Sequence, residues 1–242
     1  MSTPMSYRQH ARAALVLGLP LIGSHLAQYA VQVVDTIMLG WYGVQELAAV
    51  VLAGTFFFTL FIVGSGFSWA VMPLVAAAAE EGDDTRVRRV TRMGIWTSVG
   101  AAALMLPLLW FSAPILRAMG QAPDLAGMAQ DYLRIAGWGM FPALIVMVLK
   151  SYLSALERTR VVLWTTLAAA GLNGALNYAL IFGHWGAPEL GVRGAAIASL
   201  SLQLLSVVVL AVYALRALPE HALFQRVWRP DPEALGEVTR MG

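Results

Sequence analysis

Long apolar stretches, separated by short polar or glycine-rich connectors, make up most of the chain. A helix needs about 20 mostly apolar residues to cross a hydrocarbon core of about 30 Å. The fourth stretch has a basic residue near each end, and such side chains can reach the membrane surface along their apolar stems. The pattern predicts an all-α, polytopic membrane protein with six spans: residues 13–39, 47–79, 93–116, 128–156, 161–182 and 194–215.

The basic residues lie mostly on one side of this predicted arrangement. With the N-terminus inside, 13 of the 16 Lys and Arg fall inside and 3 fall outside. Because positively charged loops stay in the cytoplasm, both ends are expected to be cytoplasmic. We therefore expect residues 1–12 to be a cytoplasmic N-terminus, 13–217 to form the transmembrane unit and 218–242 to be a cytoplasmic linker. The outside set is Arg117, Arg134 and Arg193.

Composition supports the membrane setting and excludes several other classes of protein. Of 242 residues, 59% are hydrophobic and 12% are charged, whereas a soluble domain is roughly 25% charged. A net charge of +2 is too small for a nucleic-acid interface, so the expected partners are membrane lipids rather than DNA or RNA. The chain has no cysteine, which excludes disulfides and thiolate metal sites. The sequence also lacks Walker loops, dinucleotide fingerprints and a nucleophile elbow, so an enzyme is not expected.

Asp35 is the only formally charged residue between Ala13 and Leu39. A carboxylate inside a membrane segment is costly and usually marks a functional site. Such a carboxylate could exchange a proton, or bind Na⁺, as its surroundings alternate. The other interpretation is structural: Asp35 lies toward the outer end of its span and could simply meet water there.

Asn173 and Asn177 lie four residues apart in the fifth span, so on a helix they share one face. Buried amides need hydrogen-bond partners, and a membrane supplies only protein, water or a ligand. We expect both amides to reach Asp35, directly or through water. A plain interhelical hydrogen-bond clamp is the alternative.

Polar residues also mark the first span. Ser24, Gln28, Gln32 and Asp35 step by four, four and three residues, which predicts a shared helical face along a wet cavity. Pro20 removes a backbone donor and permits a bend, which would be either a gate or a static kink. Tyr178, among several methionines and phenylalanines, is a candidate for an adaptable apolar pocket.

The same residues resemble a known family. Leu19-Pro20, Gln28, the segment VVDTIMLG (33–40) and ELAA (46–49) resemble the first helix and following connector of the multidrug and toxic compound extrusion (MATE) transporters. The segments LNGALNYALIFG (172–183) and GAPELGVRGAAIA (186–198) resemble the fifth and sixth helices of the family's NorM-like bacterial branch. The resemblance extends over nearly the whole chain.

This resemblance implies a twelve-helix inner-membrane antiporter with two six-helix lobes, which expels drug-like lipophilic cations against H⁺ or Na⁺. It assigns ion coupling to Asp35, with support from Asn173 and Asn177, and implies no cofactor. The chain is expected to be the N-terminal lobe, with a second lobe from the same gene following the linker. Two alternatives stay open: a flippase of lipid-linked precursors from the same superfamily, and a non-transporting membrane partner subunit.

Overall fold

The computed structural model describes residues 7–223, 225 and 231–241. Residues 1–6 of the predicted N-terminus, and residues 224, 226–230 and 242 of the predicted linker, lie outside this description. The described chain is α-helical apart from its connectors. Its helices are α1 (Tyr7–Tyr42), α2 (Val44–Glu80), α3 (Asp84–Trp110), α4 (Ser112–Ala118), α5 (Pro123–Ala136), α6 (Met140–Ala155), α7 (Thr159–Phe182), α8 (Val192–Ala217) and α9 (Pro232–Met241).

These helices account for all six predicted spans. Within the described residues, four helical segments are long and apolar enough to cross a membrane: Val44–Glu80, Asp84–Trp110, Pro123–Ala155 and Val192–Ala217. Helices α1 and α7 match the two remaining spans in position. They carry the polar residues Asp35, Asn173 and Asn177, which lower the hydropathy of their helices.

Two predicted spans are broken into two helices. In the third predicted span, α3 ends at Trp110 and α4 begins at Ser112. The break arises because Pro114 has no N–H and its ring clashes with the carbonyl four residues earlier. That carbonyl, on Trp110, instead accepts from Arg134 Nε at 3.5 Å. Gln130 Oε1 in turn accepts from the backbone N–H of Ala113 at 3.0 Å. Side chains of α5 thus satisfy backbone groups at the break.

The fourth span is broken by a 3₁₀ turn at Gly137–Gly139, which joins α5 to α6. The third span also begins earlier than predicted, at Asp84 rather than residue 93. Its first turn is polar, and the Asp83 side chain accepts the backbone N–H of Arg86 at 2.9 Å, which caps the helix. Hydropathy marks the membrane-embedded length of a helix but not a polar extension into water.

Small residues allow the helices to pack closely. A Cβ atom on Gly94 would collide with Val71 of α2, and one on Gly194 would collide with the Leu180 carbonyl of α7. Close approach of this kind is common between membrane helices. It sets the α2–α3 and α7–α8 contacts that position the rest of the bundle.

Helix α1 lies at one side of the bundle and packs mainly against α7, with a smaller contact to α2. Helices α2, α3 and α6 form the centre, and α8 contacts α5, α6 and α7. The face of α1 that no described residue covers carries large exposed apolar side chains, among them Leu19, Leu26 and Tyr29. The α1–α7 contact therefore forms the wall beside this open face.

Candidate functional site

Asp35 lies at the contact between α1 and α7, where it meets both predicted amides. Asn173 Nδ2 donates to Asp35 Oδ1 at 2.5 Å, and Asn177 Nδ2 donates to the same oxygen. The amides are 1% and 0% exposed, whereas Asp35 itself is half-buried. The predicted hydrogen bonds are therefore present and direct. One carboxylate oxygen receives two donors from successive turns of one helix.

The other oxygens of this cluster lack donors. The Oδ1 atoms of Asn173 and Asn177 are buried and have no hydrogen-bond partner. Both hydrogen bonds that described residues donate to Asp35 end on Oδ1, so Oδ2 receives none from the described part of the chain. Buried polar atoms without partners are rare in native proteins and call for an explanation. A cluster rich in unpaired acceptor oxygens is suited to a proton or a hard cation, since both are held by oxygen.

Two residues that the sequence analysis did not identify also lie at the site. Tyr132 of α5 lies beside Ser199 of α8 and within electrostatic reach of Asp35. Tyrosine and serine are ordinary in membrane helices, so neither carries a signal of its own in the sequence. The segment containing Asp131 and Tyr132 becomes notable only once α5 is known to pack against α8.

An apolar cluster covers the site on the side toward the C-terminal ends of α1 and α7. It consists of Met38 and Leu39, Ile181 of α7 and Ala195 of α8, with Tyr132 packed against it. Met38 follows Asp35 by about one helical turn, and Ile181 follows Asn177 in the same way. The cluster therefore separates the polar network from the connectors that follow α1 and α7.

The four residues of the predicted polar stripe of α1 lie within about 80° around the helix, but their exposure differs. Each four-residue step turns the helix by about 40°, so Gln28 and Gln32 diverge progressively from Ser24. Ser24 is 4% exposed, and its hydroxyl donates to Leu21 O at 2.7 Å within its own helix. Gln28 and Gln32 are exposed on the uncovered side of α1. Pro20 is half-buried, and α1 continues through it as one helix.

Tyr178 lies apart from the network, although it follows Asn177 directly in sequence. Its ring stacks on His184, with centroids 4.3 Å apart, and meets Trp185 at 5.5 Å. Both partners belong to the connector between α7 and α8. Tyr178 is thus part of an aromatic group at the end of α7 and does not contact Asp35 through a described hydrogen bond.

In the described residues there is no cluster of three or more His, Asp or Glu side chains that could hold a metal ion. A monovalent cation at Asp35 would depend on the single carboxylate and the amide oxygens. This donor set carries one negative charge.

Comparison with known proteins identifies the family. The family model described as MatE matches residues 20–179, which include Asp35, Asn173 and Asn177. The chain belongs to the MatE family. This family consists of transporters rather than enzymes, and the match agrees with the MATE resemblance of the sequence motifs.

Curated relatives are similar along nearly all of this chain. A probable multidrug resistance protein NorM from Rhizobium meliloti (strain 1021) is 49% identical over 240 residues, covering 98% of this chain and 51% of the relative. A protein of the same name from Agrobacterium fabrum (strain C58 / ATCC 33970) is 42% identical over 239 residues, with 98% and 51% covered. The chain spans about half the length of the curated relatives it matches.

Solved structures agree in fold. A crystal structure of MATE in the bent conformation superposes with a TM-score of 0.84 at 20% identity, covering 96% of this chain and 51% of that one. The crystal structure of the eukaryotic MATE transporter AtDTX14 gives a TM-score of 0.83 at 21% identity, with the same shares covered. The six-span unit is therefore one MATE-type lobe in a multi-pass membrane protein.

The hydrogen bonds to Asp35 predict a measurable energetic coupling between α7 and α1. Asn173→Ala should lower the free energy of unfolding by about 1.5–3 kcal/mol, the range for a hydrogen bond to a charged group. In an Asp35→Asn background the cost should shrink by about 1 kcal/mol or more, because the charged acceptor is gone. Denaturant titration of the four variants in micelles measures this coupling.

Thr166→Ala is the matched control for this cycle. Thr166 is a buried polar residue of α7, but its hydroxyl donates to Val162 O of its own helix at 2.8 Å. Thr166→Ala should lower the free energy of unfolding by the same amount with and without Asp35→Asn. Equal costs for Asn173→Ala in both backgrounds would contradict the direct contact.

Proposed function

We propose that this chain is the N-terminal lobe of an ion-coupled multidrug efflux transporter, in which H⁺ or Na⁺ exchanges at Asp35. The observation that carries the proposal is the arrangement of one membrane carboxylate between two buried amides whose own oxygens lack donors. The test is drug efflux by the complete protein, compared with its Asp35→Asn variant. The names of the relatives support multidrug resistance as the biological role.

The geometry suits a site with two states. In the ionised state the carboxylate oxygen accepts from both amides, as observed. When H⁺ binds, a protonated carboxyl can itself donate, and an amide oxygen that lacked a donor becomes its acceptor. When Na⁺ binds instead, the carboxylate and amide oxygens together supply the oxygen ligands that hard cations prefer. Either ion therefore changes which contacts hold α1 against α7.

The proposed substrates are lipophilic cations, and the proposed partner is a second six-helix lobe. Gln28 and Gln32 are exposed on the uncovered side of α1, and polar side chains facing lipid are unfavourable. A second lobe, or a water-filled cavity beside it, would satisfy these amides. In transporters built from repeats, the substrate and ion sites lie at the interface between halves.

The flippase alternative is less well supported. A headgroup bearing phosphates would need basic residues in the central cavity. Residues 13–85, which include most of α1 and all of α2, contain no Lys or Arg. The part of the cavity wall that α1 and α2 would supply carries the carboxylate of Asp35 in place of basic residues.

The proposed location is the bacterial inner membrane, with both ends of the chain in the cytoplasm. The motivation is the 13-to-3 distribution of basic residues. Because the chain has no cysteine, single cysteines report orientation cleanly. In intact cells an impermeant thiol reagent should label Gln45→Cys and Ala122→Cys but not Glu80→Cys, all at exposed positions. Labelling of Glu80→Cys from outside would reverse the orientation.

A further inference from the structure

Helix α9 is attached to the beginning of α3 by ion pairs. Arg89 donates through Nε and Nη2 to both carboxylate oxygens of Asp231, and through Nη2 to Glu233 at 2.8 Å. Arg86 lies 3.6 Å from Glu237, one turn further along α9. The hydrogen bond from Arg89 lowers the pKa of Asp231 to about 2, so this carboxylate is ionised at neutral pH. Two arginines of α3 thus face three acidic groups at or beside α9.

Apolar contacts accompany these charges. Ala234 and Val238 lie on one face of α9 and are 4% and 0% exposed. They belong to the same core cluster as Val87 and Val90 of α3. Leu235 and Thr239, on other sides of α9, are exposed. The helix is therefore amphipathic, and its apolar face is buried within the core of the lobe.

The chain just after α8 is attached to the same region. His221 is 6% exposed, and its Nδ1 lies 2.6 Å from the buried hydroxyl of Tyr152 in α6. Its Nε2 lies 3.5 Å from Asp84 at the start of α3. Arg88 donates to Gln225 Oε1 at 3.4 Å. The described parts of the linker are thus held at His221, at Gln225 and at residues 231–238.

We propose that the beginning of α3 is a docking surface for α9, and that the docked linker moves with this lobe as one rigid body. Surface ion pairs alone would be a weak attachment. Here a doubly bonded arginine–carboxylate pair flanks two buried apolar side chains, so charge and shape complementarity coincide in one contact.

This docking has a consequence for alternating access, which rests on the proposed second lobe. Rocking of two halves requires a joint that absorbs the change in angle. A linker that is clamped to α3 up to Val238 cannot be that joint. The joint between the lobes is therefore not within residues 231–238, which stay fixed on α3 throughout the transport cycle.

The docking can be tested on the 242-residue chain in lipid nanodiscs. A spin label on Thr239→Cys, an exposed position of α9, should report a helix with restricted motion. Adding Arg89→Glu should convert the immobilised spectral component into a mobile one, and adding Asp231→Arg to that variant should restore it. Arg158→Glu, at an exposed cytoplasmic position before α7, is the matched control and should change nothing. A label that is equally mobile in the unaltered chain and in Arg89→Glu would overturn the docking.

The rigid-body claim can be tested on the complete protein, with any cysteines beyond residue 242 replaced. A short bis-methanethiosulfonate should link Arg86→Cys to Glu237→Cys, and efflux should continue at the rate of the unlinked protein. Loss of efflux on linking, with recovery when a reductant cleaves the link, would overturn the rigid-body claim and leave the proposed function intact. If the unaltered protein shows no efflux at all, the proposed function fails, and the spin-label result still decides the docking.

Discussion

Asp35→Asn in the complete protein should reduce ion-coupled drug efflux to the background level, while membrane insertion and abundance stay near normal. The amide keeps the size of the side chain, and its oxygen can still accept from Asn173 and Asn177. The amide cannot take up a proton at physiological pH, and it carries no charge that would attract a cation. Efflux of a fluorescent cation from energised cells measures the effect.

Asp124→Asn is the matched control for this substitution. Asp124 lies in the first turn of α5 and is exposed, in the connector region expected to face outside. Its replacement removes the same charge from the protein and should leave efflux unchanged. Wild-type resistance in the Asp35→Asn variant would mean that Asp35 is structural and that coupling lies elsewhere in the complete protein.

The 242-residue chain by itself should not transport. Alternating access requires one half to rock against another around a site between them, and a single lobe lacks that second surface. Proteoliposomes containing this chain, with an imposed proton or sodium gradient, should accumulate a fluorescent cation no faster than empty liposomes. The complete protein, reconstituted at the same density, is the positive control.

A second copy of the chain is the main way in which this expectation could fail. Two identical lobes could pair through their open faces, because a six-span lobe with both ends on one side enters the membrane in the same orientation as the expected second lobe. An isologous pair of this kind would imitate the arrangement of two halves. Robust gradient-dependent uptake by the 242-residue chain would show that one lobe suffices and that the two-lobe account is wrong.

Much of the fold was predictable because apolar length is a strong signal in a membrane. The six predicted stretches all correspond to helices of the structure, two of them as a broken pair, with boundaries that differ mainly where polar turns extend a helix. The break at Phe111 was not predicted, although Pro114 provides a physical reason for it. Hydropathy averages over such local backbone constraints, so it finds spans but not the irregular residues inside them.

The site was predictable in part, and for different reasons at different residues. Asp35, Asn173 and Asn177 stand out because polar groups are costly in lipid, and the structure brings the three together. Tyr132 and Ser199 do not stand out, since their contribution depends on which helices are neighbours. Ser24 was grouped with Gln28 by its spacing, but small rotations along α1 separate a buried hydroxyl from an exposed amide.

The central claim is that Asp35 takes up and releases a cation, and infrared difference spectroscopy tests it most directly. The 242-residue chain in nanodiscs would be titrated with acid and, separately, with Na⁺, alongside its Asp35→Asn variant. The account predicts that either acid produces the carbonyl band of a protonated carboxyl, or Na⁺ shifts the carboxylate bands, and that this change is missing from Asp35→Asn. Identical difference spectra for the two chains in both titrations would contradict it.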